Sequence, residues 1–111
     1  MNISTQVKQG ILVVRVEGEL DMHVADEFRQ KIDAAIESGG VRHVILSLKG
    51  VTFVDSSGLG AILGRYKKIS ANGGSLLAAN IRPQVARVFE LSGLLKIIRT
   101  FGTEAEALNS L

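Results

Sequence analysis

The chain contains no cysteine and no tryptophan, and its 111 residues include a single proline. Without cysteine it has neither a disulfide framework nor a thiolate nucleophile. Aromatic residues make up 5% of the sequence, which leaves no platform of side chains for stacking nucleic acid bases. The formal net charge is only +2, and the basic residues are dispersed. We therefore expect a protein that does not bind nucleic acid.

Long apolar runs are also absent. No run approaches the roughly 20 residues that a membrane-spanning helix needs, and residues 1–6 lack the basic and apolar segments of a signal peptide. Together with the missing cysteines, this pattern predicts a cytoplasmic protein that does not engage a membrane. The hydrophobic fraction of 46% and charged fraction of 22% are those of a folded protein. The length predicts a single domain over residues 1–111.

Strand-like and helix-like segments alternate along the chain in the order β-β-α-β-α-β-α-β-α. Such alternation after an opening hairpin predicts an α/β fold with a mostly parallel mixed sheet and about four packed helices. Strands are expected at 3–9, 11–17, 41–48, 75–79 and, as a last strand or extended edge, 94–100, and residues 52–54 are expected to bring the chain back into the core. We predict that Asp21 is the N-cap of the first helix and that residues 49–51 form a loop.

The second helix is predicted to run from Asp55 to the glycine-rich segment 71–74. Its apolar stripe comprises Leu59, Ile62, Leu63, Tyr66 and Ile69, and its opposite face comprises Ser57, Gly60, Ala61, Gly64 and Lys68. A helical glycine costs up to about 1 kcal/mol relative to alanine. Two glycines one turn apart indicate either close packing on a neighbouring helix or a flat surface for a partner protein. We favour the flat surface.

Polar residues are concentrated where the second helix begins, at Asp55-Ser56-Ser57-Gly58. Either Asp55 or Ser56 suits the N-cap position, which by itself explains both residues. A hydrolase nucleophile is a poor fit, because the elbow motif requires glycine where Val54 stands, and no sequence feature places a histidine near Ser56.

Nucleotide binding is a second reading of the same segment, and it is also poorly supported. Gly58, Gly60 and Gly64 resemble a loose dinucleotide fingerprint, but they lie inside the helical pattern rather than in a loop before it. Asp55 would also repel a phosphate at this position. We expect no catalytic residue, no metal and no cofactor.

Phosphorylation is the third reading, because a serine at the start of a helix is accessible to a kinase. A phosphate adds roughly two negative charges at neutral pH. The helix N-terminus would tolerate this charge, whereas Asp55 would oppose it. We therefore expect little change of fold and a large change of surface charge, which would switch off docking on the adjacent glycine face. The residues alone leave Ser56 and Ser57 as alternative acceptors.

The sequence resembles the STAS domain, the anti-sigma factor antagonist family, over essentially its whole length. The matching segments are Gly18-Glu19-Leu20-Asp21, residues 44–48, the motif Phe53-Val54-Asp55-Ser56-Ser57-Gly58-Leu59-Gly60, residues 62–67 and residues 91–98. The Asp-Ser-Ser-Gly-Leu-Gly motif is fairly specific to the family. The longer stretches are most similar to its sporulation branch, which acts on sigma-F.

The resemblance implies a partner-switching mechanism without enzymatic activity. The unphosphorylated antagonist would bind an anti-sigma factor that is also a serine kinase, and so release the sigma factor. The kinase would then phosphorylate Ser56, and a PP2C-type phosphatase would reset the antagonist. Asp55, Ser57 and Gly58 would be neighbours in the acceptor site. Our candidate partner contacts are Gly60, Ala61, Gly64, Lys68 and Asp21. The alternatives are a general-stress antagonist of the same fold and a nucleotide-binding STAS module.

Overall fold

The computed structural model describes residues 1–111 and contains one five-stranded sheet in the order β1-β2-β3-β4-β5. The strands are β1 (Asn2–Lys8), β2 (Ile11–Leu20), β3 (His43–Val54), β4 (Leu76–Ala79) and β5 (Thr100–Phe101). The helices are α1 (Ala25–Glu37), α2 (Ser56–Ala71), α3 (Pro83–Ser92) and α4 (Glu104–Asn109), with a short 3-10 helix at Leu94–Lys96. None of the helices combines the length and apolarity required to traverse a lipid bilayer.

The sheet is mixed. Strands β1 and β2 pair antiparallel, and the remaining three pairs of neighbouring strands are parallel. At the hairpin, Lys8 lies opposite Ile11, and the two turn residues Gln9 and Gly10 have φ angles of 52° and 79°. Two consecutive positive φ angles give a turn whose twist matches that of the flanking strands. The predicted α/β fold with an N-terminal hairpin and four helices is confirmed.

Strand β3 is longer than predicted, and the expected loop at residues 49–51 is wrong. Gly50 and Val51 remain in the sheet, paired with Glu17 and Gly18 of β2, between two irregularities in the register. These irregularities let one strand accommodate an extra residue without leaving the sheet. A Cβ at Gly50 would lie only 2.5 Å from Cγ of Glu17, so glycine permits this close pairing.

The start of α1 also differs from the prediction. The N-cap is Val24 rather than Asp21, and α1 begins at Ala25. The Asp21 carboxylate instead accepts a hydrogen bond from the backbone amide of His23 at 3.0 Å. Its backbone carbonyl accepts from the amides of Val24 and Ala25. Asp21 therefore stabilises the turn that precedes the helix.

The predicted strand over residues 94–100 is wrong for most of its length. Gly93, at φ 85°, ends α3, and the chain enters the 3-10 helix directly after it. Only Thr100 and Phe101 pair with β4, opposite Ala78 and Ala79. The apolar residues of this segment are typical of a strand. Leu94 and Ile98 are nevertheless buried without an extended backbone.

The two faces of the sheet are covered unequally. Helices α1, α2 and α3 pack on one face around a core of 22 buried residues that includes Phe28, Ile62 and Phe89. On the other face, α4 places Ala107 against a small cluster formed by residues of β3 and β4. Much of that second face is therefore left without a helix over it.

Candidate functional site

Asp55 organises the junction between β3 and α2. It is the N-cap of α2, and its Oδ1 accepts a hydrogen bond from the amide of Gly58 at 2.9 Å. Its Oδ2 accepts a second hydrogen bond, from the amide of Met22 at 3.1 Å. The Asp55 amide donates to the carbonyl of Leu20 at 3.2 Å. The loop after β2, which contains Asp21, is thereby held against the start of α2.

Ser56 is the first residue of α2 and is exposed, and its hydroxyl makes no hydrogen bond within the chain. Ser57 is half-buried. The Asp55 carboxylate already accepts two backbone hydrogen bonds, one with each oxygen. Ser56 is therefore the more accessible of the two serines, with a hydroxyl that no neighbouring side chain orients.

No histidine is positioned to activate Ser56. His43 lies at the opposite end of β3, where its Nδ1 accepts a hydrogen bond from the amide of Ser75 at 3.0 Å. His23 belongs to the loop that Asp55 holds, but its side chain makes no hydrogen bond to either serine. A serine nucleophile needs a general base within hydrogen-bond reach, so this arrangement lacks the geometry of a hydrolase.

Gly58 owes its place in the motif to packing. It is buried, and a Cβ on it would lie 2.3 Å from the carbonyl oxygen of Leu20. No side chain fits into this space without moving the backbone. The same close approach brings the loop after β2 next to the first turn of α2.

The glycines further along α2 behave differently. A Cβ at Gly60 or Gly64 would meet no atom within 4 Å, so neither glycine is required by packing within this chain. Both lie on an open face of α2, in agreement with the prediction of a flat surface.

Ala61 does not lie on that open face, and its predicted role as a partner contact is wrong. It is 1% exposed and belongs to the main core. The buried residues of α2 are Gly58, Ala61, Ile62 and Ile69. The inward stripe is therefore rotated from the predicted one, and Leu59, Leu63 and Tyr66 are only partly buried at its edge. Because alanine is only weakly hydrophobic, the sequence pattern does not indicate that Ala61 faces the core.

Lys68 lies one helical turn after Gly64, but its side chain extends toward α1. Its ammonium is 3.5 Å from Asp33 Oδ1 and 3.5 Å from Glu37 Oε1, both on α1. Arg65, whose side chain is 12% exposed, approaches the same Asp33 oxygen to 3.1 Å. Sequence reasoning placed Lys68 on the docking face, and it missed this ion-pair cluster because the pairing joins residues on different helices.

Two apolar residues beside the junction were also missed. Met22 is 68% exposed, and its amide is bonded to Asp55. Phe53, two residues before Asp55, is 48% exposed. A methionine in an otherwise polar loop and an outward phenylalanine at a strand end were the available signals. We call Ser56, Met22, Phe53, Gly60 and Gly64 together the switch surface.

The structure brings some of the predicted site residues together and separates others. Asp21 is half-buried in the loop that Asp55 holds against the start of α2. Ser56, Ser57 and Gly58 occupy its first turn. No group of three or more His, Asp or Glu side chains is arranged to hold a metal ion.

Comparison with known proteins shows the class to which this arrangement belongs. The family model described as the STAS domain matches residues 2–107. The anti-sigma F factor antagonist of Paenibacillus polymyxa is 43% identical over 113 residues, a match that covers 100% of this chain and 97% of that protein. The anti-sigma-B factor antagonist of Bacillus subtilis is 36% identical, with coverage of 88% and 90%.

A solved structure agrees with this relationship. The phosphorylated form of SpoIIAA, a Bacillus cell fate determinant, is 34% identical with a TM-score of 0.78, and the match covers 98% of each chain. The chain belongs to the STAS domain family, within the group of anti-sigma factor antagonists.

Proposed function

We propose that this protein is an anti-sigma factor antagonist that is switched by phosphorylation of Ser56. In the unphosphorylated state it binds an anti-sigma factor that is also a serine kinase, and the sigma factor is released. The observation that carries the proposal is the exposed, unbonded hydroxyl of Ser56 directly after an aspartate whose carboxylate is already engaged. Such a serine is available as a kinase substrate, but this chain supplies no base that would make it a hydrolase nucleophile.

The electrostatics of the junction account for the switch. A phosphate on Ser56 places roughly two negative charges beside the Asp55 carboxylate at neutral pH. The N-terminus of α2 tolerates the added charge, so the fold is retained. A partner that docks on the apolar and glycine-lined parts of the switch surface must then desolvate the phosphate, and any acidic group of the partner is repelled by it. Phosphorylation therefore weakens binding without unfolding the antagonist.

The similarity to anti-sigma F antagonists supports a proposal for the sigma factor concerned. The 43% identical relative is an antagonist of anti-sigma F, and one SpoIIAA structure is of a phosphorylated form. We propose the sporulation sigma-F pathway for this chain, a cytoplasmic location beside the transcription machinery, and a PP2C-type phosphatase that removes the phosphate. The anti-sigma-B relative makes the general-stress pathway the alternative.

Phosphorylation by the kinase tests the acceptor. The protein is incubated with the anti-sigma-F kinase and ATP, and peptide mass spectrometry is expected to locate the phosphate on Ser56. Ser57→Ala should be phosphorylated normally, and Ser56→Ala should not be phosphorylated. Phosphate on Ser57 alone, or no phosphate at all, contradicts the proposal. Phosphorylation by the sigma-B kinase in place of the sigma-F kinase would support the general-stress alternative.

Binding measurements test the docking surface. Ser56→Asp is expected to weaken kinase binding with an unchanged circular dichroism spectrum, whereas Ser56→Ala should bind but escape the switch. Gly60→Leu should reduce binding, since its side chain projects from the open face of α2. Ala34→Leu, at an exposed position of α1, is the matched control and should bind normally. Equal binding of the two leucine variants would contradict the assignment of this face.

A further inference from the structure

The face of the sheet opposite α1, α2 and α3 contains a polar cavity. Its volume is about 520 Å³, and Val16 is the single hydrophobic residue among the eight that line it. The walls come from β2 and β3, with Arg82 from the N-cap of α3 and Glu104 from α4. A cavity of this size accommodates a small molecule, but its lining disfavours an apolar one.

One side of the cavity is a completed ion pair. Arg15 donates from Nη2 to Glu104 Oε1 at 2.9 Å and from Nε to Glu104 Oε2 at 3.0 Å. Its Nη1 donates to Gln6 Oε1 at 3.1 Å. All three nitrogens of this guanidinium are therefore engaged. Arg15 and Glu104 neutralise each other, so the remaining charges of the cavity decide what it binds.

Two cations in the cavity have no acidic partner. Neither Lys49 nor Arg82 has a carboxylate oxygen within 4.0 Å, and neither belongs to any of the seven ion pairs of the chain, of which Arg15–Glu104 lines this cavity. The Arg82 Nε donates to the backbone carbonyl of Lys49 at 2.7 Å. This bond fixes the guanidinium beside Lys49 and leaves its terminal nitrogens available. Two positive charges are thus positioned at the same cavity without a counter-charge.

The rest of the lining completes a polar pocket. Ser47 is 5% exposed and is the one polar side chain among the 29 buried residues. It neighbours Arg15 across the strands and faces the cavity. The Glu17 side chain lies over Gly50 on β3 and brings one negative charge to the lining. Its carboxylate makes no ion pair within the chain. It would therefore weaken the binding of an anion in the cavity by electrostatic repulsion.

We propose that this cavity is a binding site for a small anion, held by the Lys49 ammonium and the Arg82 guanidinium. Arginine and lysine are the side chains that recognise phosphate and carboxylate groups, arginine through paired N–H donors. The site lies on the opposite face of the sheet from α2, and the inference does not depend on the proposed switch at Ser56. Its occupant is a compact, charged ligand with hydrogen-bonding groups.

Nuclear magnetic resonance titration with inorganic phosphate tests the site. The ¹⁵N-labelled protein is titrated with phosphate at constant ionic strength, with chloride as the reference anion. We expect saturating shifts of the amides of Ser47, Lys49 and Gly50, with a Kd in the millimolar range or tighter. Lys49→Gln and Arg82→Gln should each weaken binding about tenfold. Glu17→Gln should strengthen it several-fold, because it removes the opposing charge while keeping the shape of the side chain.

The matched control is Arg87→Gln, which removes the same charge from an exposed arginine of α3 that is paired with Glu90. Its phosphate affinity should equal that of the unaltered protein. Equal weakening by Arg82→Gln and Arg87→Gln would show only a general charge effect and would overturn the proposal. Shifts centred on Gly58 at the start of α2, or shifts that never saturate, would overturn it as well.

Discussion

The carboxylate of Asp55 accepts a hydrogen bond from the backbone amide of Met22 at 3.1 Å, across 33 positions of sequence. The other oxygen of the same carboxylate caps α2. One side chain therefore sets both the loop after β2 and the helix that begins with Ser56. The aspartate that precedes the proposed acceptor therefore supports the switch surface from below, and its removal should affect folding and phosphorylation together.

Asp55→Ala should lower the free energy of unfolding by about 2 kcal/mol, since it removes a helix cap and leaves two backbone amides without their acceptor. Asp55→Asn should cost less, because its single carbonyl oxygen can serve one of these amides. Urea denaturation measures both. Asp26→Ala, at an exposed position in the first turn of α1, is the control and should change stability by roughly 0.5 kcal/mol or less. An Asp55→Ala variant as stable as this control would contradict the bridging role.

Gly58 and Gly60 should respond oppositely to alanine. A methyl group at Gly58 would collide with the Leu20 carbonyl, and Gly58→Ala should destabilise the protein by about 1–3 kcal/mol. At Gly60 the methyl group projects into open space, so Gly60→Ala should stabilise α2 by up to about 1 kcal/mol. Thermal unfolding of the pair measures the difference. Equal melting temperatures would refute the distinction between a packed glycine and an open one.

The Asp33–Arg65 pair should be costly to break from one side. Asp33→Ala leaves the nearly buried Arg65 guanidinium without its carboxylate, with an expected loss of about 2–3 kcal/mol. Adding Arg65→Met should recover much of this loss, because an apolar side chain can replace the unpaired charge. Glu37→Ala, which removes an exposed partner of Lys68, should cost roughly 0.5 kcal/mol. Denaturant titration of these variants measures the three free energies of unfolding. A double variant less stable than Asp33→Ala would contradict the interpretation that the unpaired Arg65 charge causes the loss.

The Arg15–Glu104 pair predicts a pH-dependent contribution to stability. Hydrogen bonds from Arg15 lower the pKa of Glu104 below its ordinary value of 4.5, against the opposing effect of partial burial. A carboxyl group with a lowered pKa in the folded state stabilises the protein above pH 4.5, and this contribution disappears as the pH falls through the folded-state pKa.

Glu104→Gln should therefore be less stable than the unaltered protein at pH 7, by about 1 kcal/mol or less for a partly exposed pair. The difference should shrink below pH 4.5 and vanish at lower pH. Unfolding at a series of pH values measures it, with Glu106→Gln as a neighbouring exposed control. A stability difference that does not change between pH 7 and pH 3 would contradict the ion pair.

Local patterns in the sequence predicted most of the architecture. Pro83 and Gly93 mark the two ends of α3, and the Thr103 hydroxyl accepts from the Glu106 amide at the start of α4, both signals that lie within a few residues of the helix ends. Such signals are readable because they depend on neighbouring residues. The error at Lys49–Val51 arose because pairing with β2 keeps these residues in the sheet. The error in residues 94–100 arose because a 3-10 helix buries Leu94 where the apolar pattern alone favoured a strand.

In the candidate site too, the features that depend on neighbouring residues were predictable and those that join distant residues were not. The Asp55-Ser56-Ser57-Gly58 motif located the strand-to-helix junction and its polar groups, because motif, cap and helix start are all local. The sequence had no means of showing that Asp55 holds the Met22 loop, that Ala61 turns inward, or that Lys49 and Arg82 share a cavity. These relationships join residues far apart in the chain, and only the packing of α2 and α3 against the sheet decides them.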